Sequence, residues 1–296
     1  MAGGTHQQLD SIIQQVDSIF SGPMAKGTIS NKSLDEISGI AVSTSNPKYI
    51  WAHNDSGDDP RIFLMDKKGK HKGVFYFKNA FFRDVEDMAI GKGPLDDRDY
   101  LYLADIGDNL AVHDYNYIYR VEEPYLNHVE QPVFLEINDY EKITYVYPDG
   151  KRDAEAIVVD QNKDIYIFSK REPQIHIYKL PYPQSVKDTL TAEFLGKLNM
   201  SMVVAADMAA NGHDLLVKTY QNVFYYKIPQ DGSLEAIFEQ KPNNLPYARE
   251  PQGEAIAWDK DASGYFTASE EMKIFDAVLY YYKRIMPPLS NEDIND

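Results

Sequence analysis

The chain has 296 residues, 43% apolar and 26% charged, and sets 46 acidic against 30 basic side chains for a formal net charge of −16. That composition excludes a disordered polymer and argues against a nucleic-acid ligand, whose phosphates need a basic footprint. Cysteine is absent, which excludes thiol catalysis, zinc–thiolate sites and disulfide scaffolds, and no apolar run approaches the roughly eighteen residues of a membrane span.

The chain opens Met1-Ala2-Gly3-Gly4 with no signal segment after it. The lack of cysteine suits an extracytoplasmic life. The expectation is an exported protein, secreted, periplasmic or surface-anchored, whose signal segment is not in this chain. Residues 1–23 read as an N-terminal extension. Within it, Leu9, Ile12, Ile13, Val16 and Ile19 fall at helical spacing, so a short amphipathic helix is expected over residues 6–20. Met24–Ser30 reads as a strand. After it comes a repeat, built from short Tyr- and Phe-rich runs between Asp, Gly, Asn and Pro turns.

The first copy comprises Glu36–Ala41, Tyr49–Asn54, Arg61–Met65 and a weaker Gly73–Phe77. The second is Asp84–Ala89, Tyr100–Asp105, Tyr117–Arg120 and Pro132–Ile137, followed by an apparent insertion at Tyr140–Arg152. The third is Asp153–Val158, Asp164–Ser169, Ile175–Lys179 and Ala192–Lys197. The fourth is Val204–Ala209, Asp214–Thr219, Val223–Lys227 and Ser233–Phe238. The fifth is Gln252–Ala257, Gly264–Ser269 and Ala277–Lys283. The third residues of the copies are spaced by 48, 69, 51 and 48. Four short strands at such a period make one propeller blade. The reading is an all-β, five-bladed propeller of four antiparallel strands per blade, with six blades as the alternative. One propeller domain is expected over 24–286, with a disordered tail over 287–296. The fifth copy lacks a fourth strand, and Met24–Ser30 can supply it, closing the ring and removing an exposed edge.

In a blade, the start of the innermost strand and the end of the second strand meet at one mouth of the axis. Strand starts bring Glu36, Asp84, Glu86, Asp87, Asp153, Glu155, Asp207, Gln252 and Glu254. Strand ends bring His53, Asn54, Asp55, Asp105, Asp108, Asn109, Lys170, Glu172, Lys218, Tyr220, Glu270 and Glu271. Like charges so gathered resist ionisation and call for cations, protons or hydrogen bonds. Oxygen-rich clusters of this kind suit Ca²⁺, or Mg²⁺ with fewer protein ligands. Acidic residues at strand starts also cap turns by accepting backbone N–H bonds, which needs no function at all.

Other motifs are empty. No phosphate loop, G-x-S-x-G, H-E-x-x-H or G-x-G-x-x-G is present, and His53, His113, His176 and His213 lack ligand spacing. Asp259, Asp261, Ser263 and Gly264, with Glu270 in twelfth place, nearly spell a helix-flanked calcium loop. The flanks read as strands, however, and at about 3.3 Å per residue Glu270 lies roughly 20 Å from Gly264. The segment is a hairpin turn.

Four motifs occur in order: Asn54-Asp55-Ser56-Gly57-Asp58, Asp105-Ile106-Gly107-Asp108-Asn109, Arg152-Asp153-Ala154-Glu155-Ala156 and Gln252-Gly253-Glu254-Ala255. Over residues 34 to 284 the chain resembles a group of uncharacterised bacterial exported β-propeller proteins. The resemblance implies fold and export, and no activity. More distantly, the blade pattern is similar to phytase/esterase-like and calcium-dependent lactonase propellers. That implies Ca²⁺ on axial carboxylates and amides only generically, since no catalytic motif matches by position.

Two functions follow as expectations. In the first, a metal-dependent hydrolase of phosphoester or lactone/ester substrates, Glu36, Asn54, Asp105 and Asp153 hold Ca²⁺. Asp55, Glu86, Glu155 and Glu254 carry catalysis, and His53, Asn109, Lys170, Lys218, Tyr220 and Glu270 bind substrate. A metal-free pair of carboxylates flanking a glycosidic bond is a variant of it. In the second, the propeller binds carbohydrate or protein without turnover. Either way the expected partner is a small molecule or glycan at the propeller face, with no nucleic acid, no membrane span and a monomeric chain.

Overall fold

The computed structural model describes residues 19–126, 128–230, 233–271 and 276–285. They form five sheets arranged as the blades of a β-propeller. Counting outward from the axis, blade 1 is Ile37–Val42, Tyr49–Asn54, Arg61–Asp66 and His71–Phe77. Blade 2 is Val85–Lys92, Asp99–Asp105, Asn116–Glu122 and Glu141–Val146. Blade 3 is Ala154–Val159, Ile165–Ser169, Ile175–Leu180 and Glu193–Leu198. Blade 4 is Val203–Met208, Asp214–Thr219, Val223–Lys227 and Asn243–Leu245. Blade 5 is Ala255–Trp258, Gly264–Ala268, Val278–Lys283 and, from the other end of the chain, Met24–Thr28. That last strand pairs antiparallel, Met24 opposite Tyr281 and Thr28 opposite Val278. The ring is closed by its two chain ends, as the missing strand of the fifth repeat requires.

Three strand assignments differ from the sequence reading. Val133–Ile137 does not complete blade 2; it adds a fifth strand to blade 1, parallel to His71–Phe77. The fourth strand of blade 2 is Glu141–Val146, inside the segment read as an insertion, and it buries Ile143 and Tyr145. Leu190–Thr191 then pairs parallel on its outer edge. In blade 4, Leu234–Glu239 is a 3₁₀ helix, not a strand. Its buried residues, Leu234 and Ile237, stand three apart, which puts them on one side of a three-residue turn. The amphipathic helix expected over residues 6–20 lies outside the described residues except for its end, where Phe20 is extended and bridges Arg284. The tail from 287 also lies outside them. Asp259–Gly264 is a hairpin turn, with the Asp259 amide bonded to the Gly264 carbonyl.

Side chains alternate across each strand, so an inner strand feeds two gaps between blades. In blade 5, Ala255 and Ala257 face blade 1, and Ile256 and Trp258 face blade 4. Each gap between neighbouring blades holds an apolar cluster, from Trp51 and Tyr119 between blades 1 and 2 to Phe168 and Leu215 between blades 3 and 4. The inner strands leave backbone N–H groups facing the axis. Two carboxylates cap them, Asp87 fully buried and Asp207 partly so. Asp87 Oδ2 accepts from the Ile157 amide at 3.0 Å and the Ala206 amide at 3.4 Å, and Asp207 Oδ2 accepts from the Trp258 amide at 2.6 Å. Among the described residues, no helix is long and apolar enough to cross a membrane.

Candidate functional site

A repeated defect builds the mouth where the inner strands begin. In blades 1 to 4 the pairing of the first two strands skips one residue: Ser38, Glu86, Glu155 and Val204. Glu254, just ahead of its strand, holds the matching place in blade 5. Such bulges re-aim a side chain. The matched positions shift the fourth repeat by two residues from its sequence alignment, so its first element begins at Met202. Asp207 thus lies in the axis, and the residue at the mouth is Val204. Two residues before each bulge stand Glu36, Asp84, Asp153, Met202 and Gln252. Their carbonyls in blades 1, 2, 3 and 5 accept the amides of Asp55, Ile106, Lys170 and Glu270, the residues that follow the second strands.

Four blades therefore line the mouth with acids, and blade 4 lines it with Met202, Val204 and Tyr220. The carboxylates fall into three overlapping trios, each with oxygens within 4.8 Å of one another: Asp55–Asp84–Glu86, Glu86–Asp153–Glu155, and Asp55–Glu254–Glu270. Glu86 and Asp55 are each shared by two trios. Gly107 sits against the first, where a Cβ would collide with the Glu86 and Asp84 carboxyls.

Burial pushes Asp84 up to about 6, helped by Asp55, Asp153 and Asp105. Burial also pushes Glu86 well above the usual carboxylate range, with Glu155, Asp55 and Asp84 adding repulsion. Glu155 rises to about 8, mainly through burial, although Lys170 pulls it back. Burial would lower Lys170, but its bond to Glu155 keeps it charged and raises it. Glu270 rises to about 7 through burial and the nearby Glu254. Glu254 is raised by burial while accepting the Tyr220 hydroxyl at 2.5 Å.

Of the residues expected to catalyse, Asp55, Glu86, Glu155 and Glu254 all enter trios. Of the expected ligands only Asp153 does; it also accepts the Asp108 amide at 2.9 Å and Arg171 at 2.5 Å. Glu36 is exposed and in no trio. Asn54 spends its amide on a turn, donating to Ser33 O at 2.7 Å and Asp58 at 3.0 Å. Asp105 is fully buried, with Oδ1 accepting the Asp84 amide at 2.9 Å and Oδ2 without a partner.

Among the expected substrate groups, Lys170, Tyr220 and Glu270 reach the mouth, and Asn109 sits on its rim, bonded by Arg171. His53 and Lys218 do not. Both face a small residue across their strand pair, Gly39 and Ala205, and fold inward. His53 is 1% exposed, its Nδ1 donating to Asn54 O at 2.8 Å, and burial lowers it to about 4. Lys218 is wholly buried behind Glu254, donates to Gly253 O, and is lowered by burial to about 8. Asp84 is the trio member that the sequence reading left without a role.

All trio members are hard oxygen donors, without histidine or sulfur. A Ca²⁺–oxygen distance of about 2.4 Å puts two ligands of one ion no more than roughly 4.8 Å apart, so each trio meets that limit. The Asp55–Asp84–Glu86 donors fit a hard divalent cation.

No family model matches the chain, and no curated protein matches it. Among solved structures, the PQQ-bound form of an aldose sugar dehydrogenase from Streptomyces coelicolor aligns with a TM-score of 0.49 and 9% identity, covering 88% of this chain and 98% of that one.

Proposed function

We propose that the acidic mouth is a divalent-cation site, Ca²⁺ by its donor chemistry, and that it serves hydrolysis of a phosphoester or lactone/ester. The observation that carries this reading is the three carboxylate trios joined through Asp55 and Glu86 at one end of the axis. Lys170, bonded to Glu155, and Arg171, bonded to Asp153, are too little cation to balance the seven carboxylates of the trios.

Asp55, Asp84 and Glu86 would hold the ion. A bound ion supplies Lewis-acid polarisation of a phosphoryl or carbonyl oxygen and a more acidic water. Glu254, oriented by Tyr220, and Glu270 form the side of the mouth where a proton is taken or given. Lys170 holds an anionic substrate oxygen beside Glu155. Met202 and Tyr220 give the non-reacting part of the substrate an apolar wall. Asp55→Asn is expected to abolish turnover and leave the melt of the ion-free protein cooperative; full activity in that variant removes Asp55 from the chemistry.

A second reading is carbohydrate binding without turnover. It is favoured by the raised carboxyl of Glu270, which near 7 is half protonated at neutral pH and in that form donates a hydrogen bond to a hydroxyl. A glycan array separates the two, since it should give hits that Glu155→Gln weakens and that persist in EDTA.

A further inference from the structure

The opposite mouth of the axis holds a cavity of about 240 Å³, lined by the far ends of all five inner strands. At about 30 Å³ per water, it has room for a ligand the size of roughly eight waters. Its walls include Val42, Ile90, Val159 and Met208, and Asp207 lies among them.

The other charged groups there are already engaged. Lys92 pairs with Asp99 at 2.8 Å. Lys260 donates to Thr44 O at 2.5 Å. Asp160 accepts the amides of Asn162 at 2.8 Å and Asp164 at 2.9 Å, and Asp259 is bonded by Lys67. Asp207 is different. It accepts the Trp258 amide through Oδ2 and, among the described residues, has no cation within ion-pair distance; Asp160 also lacks one, but both its oxygens are taken by Asn162, Asp164 and the Tyr166 hydroxyl. Burial holds it up near 7, the behaviour of a carboxyl without a counter-charge. No metal-forming trio of described residues lies at this mouth. With the other carboxylates of the lining bonded to lysines or to their own turns, Asp207 alone offers too few oxygens for a metal ion, and beside Val42, Ile90, Val159 and Met208 it matches a cation that brings its own apolar stem.

We infer that this cavity is a second binding site, separate from the acidic mouth, for a primary alkylammonium ion whose nitrogen meets Asp207 and whose carbon chain fills the sleeve. The inference stands independently of the hydrolase reading. The ammonium group could belong to a free amine or to a lysine side chain of a peptide.

The test is a series of thermal melts of the full chain in EDTA, with n-butylammonium chloride, n-butanol, potassium chloride and N-acetyl-lysine methylamide. Butylammonium should raise the melting temperature in a saturable way, and butanol and potassium chloride should not. Asp207→Asn, which keeps an acceptor for the Trp258 amide, should remove the rise. Ala210→Trp, which fills the cavity from its edge, should remove it as well, and covers the case where the first variant fails to fold. Glu86→Gln at the other mouth should leave it intact. A rise with butylammonium alone assigns a free amine, and a rise with the lysine compound too extends the site to peptides. No rise beyond potassium chloride, or a rise lost in Glu86→Gln and kept in Ala210→Trp, would overturn the inference.

Discussion

Asp84→Asn should make the ion-free protein more stable and the calcium-loaded protein less so. Burial, with repulsion from Asp55, Asp153 and Asp105 added, raises the folded-state value of Asp84 from 3.8 to about 6. The sign follows from that rise. The folded state binds the extra proton, so the stability that Asp84 contributes is intact below about pH 4 and lost as the pH rises through 6. A rise from 3.8 to about 6 corresponds to roughly 3 kcal/mol. Asp84 is partly open to solvent, and screening reduces this to about 1–2 kcal/mol. At pH 8 in EDTA the variant should therefore melt on the order of 2–8 °C above the wild type. At pH 4 the two should coincide. With saturating Ca²⁺ the order should reverse, because the variant has lost one of the three ligands of the Asp55–Asp84–Glu86 trio. Calorimetry at pH 4, 6 and 8, with EDTA and with CaCl₂, reads all of this. Equal melting in EDTA at pH 8, or an unchanged response to Ca²⁺, would refute the reasoning.

Gly107→Ala should push the Glu86 and Asp84 carboxyls apart, costing about 1–3 kcal/mol and blunting the Ca²⁺-induced rise; a melt with and without the ion checks both. Asp214 is fully buried between Arg284 at 3.0 Å and the Tyr225 hydroxyl at 2.5 Å, and despite burial these bonds lower it to about 2. Its stabilisation, roughly 2 kcal/mol, should be present above pH 4 and disappear as the pH falls through 2, and urea melts of the wild type against Asp214→Asn over that range should show the difference vanish. Deleting residues 1–28 removes the strand that closes blade 5, exposing the edge of Val278–Lys283; a rise in self-association by light scattering is expected, and a monodisperse, equally stable product would contradict that role.

The alternation of Tyr, Ile and Val in short runs made the blades legible, and the missing strand of the fifth repeat predicted the closure through Met24–Thr28. Which blade an extra strand joins was not legible. Val133–Ile137 and Glu141–Val146 are both plausible strands, and only packing in three dimensions assigns them. The fourth repeat misled for a definite reason. Asp207-Met208-Ala209 mimics Asp87-Met88-Ala89, whereas the true strand start, Met202, carries no acid. At the mouth, the acids at bulge positions were legible as a set, but the sharing of Asp55 and Glu86 between trios depends on the closed ring. His53 and Lys218 misled because a polar residue near a strand end reads as facing the mouth. The signal that they turn inward is the small residue opposite, Gly39 or Ala205, and it appears only once the strand register is known.

The central claim, a hard divalent cation at the joined carboxylate trios, is tested most directly by a thermal melt after EDTA treatment with Ca²⁺ or Mg²⁺ added back. Ligands that bind only the folded state raise the melting temperature by mass action. The account predicts a rise of several degrees with Ca²⁺, larger at pH 8 than at pH 5 because the carboxyls must lose their protons to bind. An unchanged melting temperature with every divalent ion at pH 8 would contradict it.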